Sequence, residues 1–290
     1  MSTPPPASDS VAGRVALITD STAYLPRDLL TGTTIDVVPV QVIVAGRAMD
    51  ETSDAASTQR ISEALKAWQP VTTSRPTPER FRQTFEKAAI DGASAVVCAT
   101  LSARMSATYE SAWLAAREVG IDVRVVDSQT VAMGLGFAVL AGERASREGA
   151  SVDEVETIVR RRGESATALF YVNTLEYLRR SGRIGSARAM VGQALKVKPI
   201  LAVRDGEVAP LERVRTSAKA IARMAELAAA AVTGPVEIAV QHLDAEERAS
   251  ELAGELHRRL PGTPIVQCPI GAVVAAHTGP GIVAVVVSPV

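Results

Sequence analysis

Short unbroken apolar runs alternate with longer stretches of helical period through the first half of the chain. Residues 14–19 (RVALIT), 36–44 (DVVPVQVIV), 94–100 (SAVVCAT) and 122–128 (DVRVVDS) are rich in Val, Ile and Ala and read as buried strands. Residues 57–68, 77–92, 106–120 and 130–149 read as helices by the spacing of their apolar positions. The second of these begins with Thr77 followed by Pro78, a cap signal with proline at the first helical position. Such alternation predicts a mostly parallel sheet with helices on both faces.

After about residue 163 the rhythm changes. Residues 168–172 (ALFYV) read as a strand, and TLEYLRR and SARAMVGQAL as short helices around SGRIG. Asp205-Gly206 separates two apolar runs within residues 198–214, a strong hairpin signal. A helix over 216–232, a strand over 236–241, a helix over 244–259 and two closing strands follow. The apolar runs 269–276 and 282–287 flank the turn AAHTGPG, residues 275–281. The reading is an α/β protein of two domains. Residues 1–12 form a disordered tail, 13–162 an α/β domain with a mostly parallel sheet and flanking helices, and 163–290 an α+β domain.

Composition narrows the function. Apolar residues make up 47% of the chain and charged residues 22%, enough for a sizeable core. With 31 Lys+Arg against 32 Asp+Glu, no basic footprint for nucleic acid or an anionic membrane exists. Aromatics are only 3%, so Ala, Val, Leu and Ile must build the interior. Cys98 and Cys268 each lie inside an apolar run and read as buried small hydrophobes, and no metal spacing is present. The opening residues lack the pattern of a signal peptide and no apolar stretch is long enough to span a bilayer, so a cytoplasmic location is expected.

Three loops after strands carry more hydroxyls than helix capping needs. They are TDST (19–22), VTTSRPT (71–77) and TLSARMSATY (100–109). Hydroxyls beside the free N–H groups of a helix start make an anion site, suited to a carboxylate or phosphate. Gly134, Gly136 and Gly142 inside a helical pattern read as close packing or as room for a ligand. Of the three histidines, His257 reads as exposed on a helix and His242 as the end of a strand. His277 stands in the Gly-Pro-Gly turn, which needs no imidazole for its backbone. No G-x-S-x-G elbow, no Gly-rich phosphate loop and no dinucleotide fingerprint is present. The residues describe a hydroxyl-lined anion site near a histidine. They leave open a binding protein and a serine hydrolase using Ser106 or Ser74 with His277.

Seven segments in order, LITDSTAYLP, TTSRPT, LSARMSATYESA, VVDSQTVAMGLG, LEYLRRSGRIG, KPIL and GAVVAAHTGPG, together resemble the DegV family from residue 15 to the end of the chain. The resemblance implies a bacterial fatty-acid-binding protein with the acyl chain buried between two α/β domains. It implies no catalysis by this chain alone and no cofactor, and it leaves a lipid-responsive regulatory protein as an alternative. The carboxylate would be held by Thr73, Ser74 and Ser106 with His277 nearby. Arg183 and Arg215 match basic positions for phosphoryl transfer or partner docking. The implied partner is a fatty acid kinase subunit with a dihydroxyacetone-kinase-like domain, whose acyl phosphate product feeds phospholipid synthesis. Arg75, Ala103, Arg104 and Ala107 depart from the family pattern and bear on the geometry at the headgroup. A sixteen-carbon chain, buried at ~0.8 kcal/mol per methylene, gains roughly 11 kcal/mol before ordering costs. Its carboxylate must be hydrogen-bonded or neutralised, and a protonated His277 would add charge-assisted bonding.

Overall fold

The computed structural model describes residues 13–190 and 197–290. The expected tail over 1–12 and the second half of the helix expected over 186–195 lie outside the described residues.

The first half contains β1 (Val15–Asp20), α1 (Arg27–Leu30), β2 (Asp36–Val38), β3 (Gln41–Val44), β4 (Arg47–Asp50) and α2 (Thr58–Lys66). It continues with β5 (Val71–Ser74), α3 (Pro78–Ile90), β6 (Ala95–Thr100), α4 (Thr108–Ala116), β7 (Asp122–Asp127), α5 (Met133–Arg147) and α6 (Val152–Ser165). A four-stranded parallel sheet runs β2-β1-β6-β7. Alternate residues of its strands face opposite layers, as the pleat demands. Ala16, Ile18, Val96 and Cys98 pack with Phe81 and Phe85 of α3, while Leu17, Val97 and Ala99 pack with Leu135 of α5 and Val155 of α6. The unbroken apolar runs follow from this two-sided burial.

The second half contains β8 (Thr167–Tyr171), α7 (Glu176–Arg180), β9 (Lys198–Arg204), β10 (Glu207–Val214), α8 (Ser217–Ala230) and β11 (Val236–His242). It ends with α9 (Glu246–Arg259), β12 (Ile265–Pro269), α10 (Ala272–Thr278) and β13 (Val283–Pro289). A mixed six-stranded sheet runs β10-β9-β8-β13-β11-β12, with only β11 and β12 parallel. Asp205 and Gly206 both have positive φ, as the expected hairpin turn requires. One face of this sheet carries α8 and α9 over Leu169, Ile200, Val240 and Val285. The other turns toward α5, with Ala168, Ala239 and Val286 against Met133 and Phe137.

Helix α5 is therefore covered by both sheets, and it reads as apolar nearly all round for that reason. Its glycines serve close packing. A Cβ at Gly142 would run into Val159 Cγ2, and one at Gly136 would lie 2.8 Å from Ala23 O.

Four differences from the sequence expectation stand out. Residues 36–44 are not one strand. The chain breaks after Val38, next to Pro39, so β2 joins the parallel sheet while β3 pairs with β4 and β5 in a small antiparallel sheet. Residues 71–74 are strand β5, not a loop, so Thr72, Thr73 and Ser74 alternate across an edge of that small sheet. Helix α6 was not expected, although Ser151 and Glu154 form a capping box at its start. Residues 269–276 are not a single strand. β12 stops at Pro269 and the alanine-rich segment after Gly271 is helix α10, so His277 lies in a helical last turn and not in a strand-to-strand turn. Among the described residues no helix is long and apolar enough to cross a membrane.

Candidate functional site

Between the small antiparallel sheet, the mixed sheet and the loops around α4 lies a cavity of about 390 Å³. This falls in the range of small-molecule sites, roughly 300–1,000 Å³. Most of its wall is aliphatic, including Val40, Leu101, Val203, Ile270, Ala284 and Val286. Its polar end gathers side chains far apart in the chain: Thr73, Ser74, Arg75, Ser106, Arg183 and His277.

The tip of this end is a direct contact between Thr73 Oγ1 and His277 Nε2, 2.8 Å apart. Strand β5 delivers Thr73 and helix α10 delivers His277. The other imidazole nitrogen, Nδ1, is buried without a hydrogen-bond partner among the described residues. Burial, and then the positive charge of Arg183, push the His277 pKa down from 6.5 to about 4. The imidazole is therefore neutral at pH 7, not protonated as the sequence argument supposed. A carboxylate arriving beside it would counter both effects.

Ser106 Oγ lies 2.9 Å from Thr108 Oγ1, at the entry to α4. No side chain caps the first N–H groups of α4. Ser74 Oγ donates to its neighbour's carbonyl at 3.3 Å. The two arginines differ. Arg75 is held by Glu110 at 2.8 Å, which cancels much of its charge. Arg183 donates to the Ser181 carbonyl at 2.6 Å and to the Met105 carbonyl at 3.3 Å, and makes no ion pair among the described residues. Its charge is open to an anion. Arg215 is exposed, away from the cavity wall.

Of the three hydroxyl-rich loops, only two reach the cavity. In the first, Asp20 accepts from Thr22 N at 2.9 Å and Leu101 N at 2.8 Å, tying β1 to β6. Ser21 donates to Glu51 at 2.5 Å and accepts from Val40 N at 3.0 Å. In the third, Ser102 donates to Gly206 O at 2.7 Å and fastens the β9–β10 hairpin to the α4 loop.

Two residues that the sequence reading passed over set the position of His277. Glu51 Oε1 accepts from Val273 N at 2.7 Å and from Tyr24 Oη at 3.0 Å, and Tyr24 Oη in turn accepts from Val274 N at 3.0 Å. Together they satisfy orphan N–H groups of α10, which has no cap of its own. A Cβ at Gly271 would collide with the Tyr24 ring, so the approach needs glycine. Burial raises the Glu51 pKa from 4.5 to about 7. No local signal could have found this clamp, because its partners are more than 220 residues apart.

A family described as uncharacterised proteins of the DegV family matches residues 14–290. A DegV domain-containing protein of Streptomyces coelicolor is 48% identical over 276 residues, 94% of this chain and 98% of that one. A solved DegV family protein from Thermus thermophilus, described by its fatty acid binding, superposes with a TM-score of 0.89 at 31% identity, covering 96% of this chain and 100% of its own. DegV from Bacillus subtilis, described as a fatty acid binding protein, superposes with a TM-score of 0.85 at 30% identity over the same shares.

Proposed function

The chain belongs to the DegV family, and on that premise we propose that it binds one long-chain fatty acid, with the acyl chain along the aliphatic wall and the carboxylate among Thr73, Ser74, Ser106 and His277. The observation that carries this reading is the polarity of the cavity: aliphatic along most of its length, with hydroxyls, an imidazole and an uncompensated guanidinium at one end. A carboxylate can accept from Thr73, Ser74, Ser106 and the first N–H groups of α4, while Arg183 supplies charge. The fatty acids bound by the Thermus and Bacillus relatives support the same ligand class.

The carboxylate end is also where the site meets solvent. Ala107 and Arg183 are exposed, whereas Val40, Leu101, Ile270 and Val286 of the aliphatic wall are buried. A bound acid would therefore keep its reactive group within reach of a second protein. In this reading a separate kinase subunit with a dihydroxyacetone-kinase-like domain moves the terminal phosphoryl group of ATP to a carboxylate oxygen, giving ADP and an acyl phosphate for phospholipid synthesis. Arg183 would steady the developing charge, and the exposed Arg215 would belong to the docking face. This chain supplies no catalysis alone and acts in the cytoplasm, where the ATP is.

Hydrolysis is less well supported. A serine triad needs an imidazole bonded to the serine on one side and to an acid on the other. Here Nε2 contacts Thr73, Nδ1 has no partner among the described residues, and Ser106 contacts Thr108.

Mass spectrometry of the purified protein, native and after organic extraction, tests the ligand class. One co-purifying fatty acid per chain is the expected result. A protein that carries none and takes up no fourteen- to eighteen-carbon acid would sink the reading. For the kinase step, the loaded protein is mixed with ATP and the kinase subunit, and acyl phosphate is trapped with hydroxylamine. Absence of hydroxamate leaves binding standing and removes presentation.

A further inference from the structure

The cavity and a second pocket lie end to end along one face of the mixed sheet. The chain leaves the turn after His277 into β13, and Ile282, Ala284 and Val286 line the cavity in succession, so Val286 marks the end far from His277. Ala168, the register partner of Val286 on β8, lines the same end, and the cavity reaches α5 at Ala132, the residue before the helix. One step further along this face Ser288 of β13 pairs with Glu237 of β11, and Glu237 already lines a different pocket of about 360 Å³. A single apolar cluster separates the two spaces. Met133 and Phe137, one helical turn apart on α5 and both buried, pack there with Ala168, Ala239 and Val286. The cluster borders the cavity through Ala168 and Val286, and the second pocket through Phe137. A hydrocarbon tail that passed this plug would meet the buried carboxylate of Glu143 on the far side, an unfavourable neighbour for an alkyl chain.

We propose that Met133 and Phe137 are specificity-determining residues that stop the methyl end of the bound acyl chain and so set the longest fatty acid the cavity takes. The inference rests on the fatty-acid reading of the same cavity. Up to the stop, each added methylene finds apolar wall and tightens binding roughly four-fold, the equivalent of ~0.8 kcal/mol. Past it, a methylene has to displace packed side chains, and overpacking reverses the gain. The dependence of affinity on chain length should therefore break sharply at one length.

The test is competition binding with saturated fatty acids stepped in length from twelve to twenty-two carbons. The parent should bind more tightly with length up to one best acid, then lose on the order of ten-fold or more within the next few carbons. Met133→Ala and Phe137→Ala should each move the best acid to a longer chain and leave the shorter acids bound as in the parent. Ala168→Leu fills the same end from the sheet side and should move the best acid to a shorter chain. It decides the matter should both alanine variants fail to fold, for an unmoved preference would place the methyl end elsewhere and overturn the proposal. A parent whose affinity still rises at twenty-two carbons, or folded alanine variants that keep the parental best length, would also overturn it while leaving fatty acid binding intact. Failure of the parent to bind any acid of the series would overturn the reading beneath it as well.

Discussion

Replacing Glu51 by Gln should remove a pH dependence that this carboxyl group builds into stability. In the folded protein Glu51 has a pKa of about 7, against an ordinary value of 4.5. Between those values the folded protein keeps a proton that the unfolded chain has lost. Its contribution is therefore fully present below pH 4.5 and is lost as pH rises through about 7. A gap of about 2.5 pH units at ~1.4 kcal/mol each makes the change about 3 kcal/mol. His277 works in the opposite direction. Its folded pKa of about 4 lies below the ordinary 6.5, so its contribution is present above pH 6.5 and is lost as pH falls through about 4. In the parent the two slopes offset each other over the shared window. Gln at position 51 keeps an oxygen for Val273 N and cannot ionise, so of this pair only the His277 slope remains. Urea unfolding of both proteins from pH 4 to pH 8 gives the difference in stability directly. Relative to the parent, Glu51→Gln should gain about 3 kcal/mol as pH rises from 4.5 to 7. A difference that stays flat across that range would refute the reasoning, for it would mean an ordinary carboxylate at position 51.

Thr73→Val leaves His277 Nε2 without its partner and should weaken fatty acid binding on the order of ten-fold, with Thr73→Ser close to the parent. Unchanged affinity in the valine variant removes Thr73 from the carboxylate site. Arg183→Gln should raise the His277 midpoint above about 4, read from the imidazole proton shifts, because a nearby positive charge is gone. An unmoved midpoint would assign the whole depression to burial. Gly142→Ala forces a Cβ into Val159 and should cost ~1–3 kcal/mol in urea unfolding, whereas a neutral result would show that α5 and α6 have slack between them.

The sheet-forming runs were legible because a strand buried on both faces leaves a continuous apolar signature, as in VALITD and AVVCAT. The Asp205-Gly206 hairpin was legible for a different reason, since two residues at positive φ demand those side chains. Helix α10 was not. Its AVVAA start is as compatible with a strand as with a helix, and the group that satisfies its N–H groups is Glu51, far away in the chain. The segment VTTS looked like a loop for a related reason. Its strand character comes from pairing with β3, and β3 itself was hidden inside a longer apolar run. At the site, the hydroxyls and His277 stood out by type and spacing. Ser21 and Ser102 carried the same signal, but the structure spends them on Glu51 and on Gly206.

Strand β13 follows every other strand of the mixed sheet in the chain, yet it lies between β8 and β11. The ribosome therefore delivers β10-β9-β8 and β11-β12 as two separate pieces, each with a raw edge of unpaired backbone groups, before the strand that joins them emerges. Until then the outer side of α5, with Met133 and Phe137, lacks the central strand of the sheet it lies against, and the cavity lacks Ala284 and Val286 of its wall. The newborn chain is most exposed to misassociation just before its last strand arrives, and the cavity is the last part of the molecule to come into being.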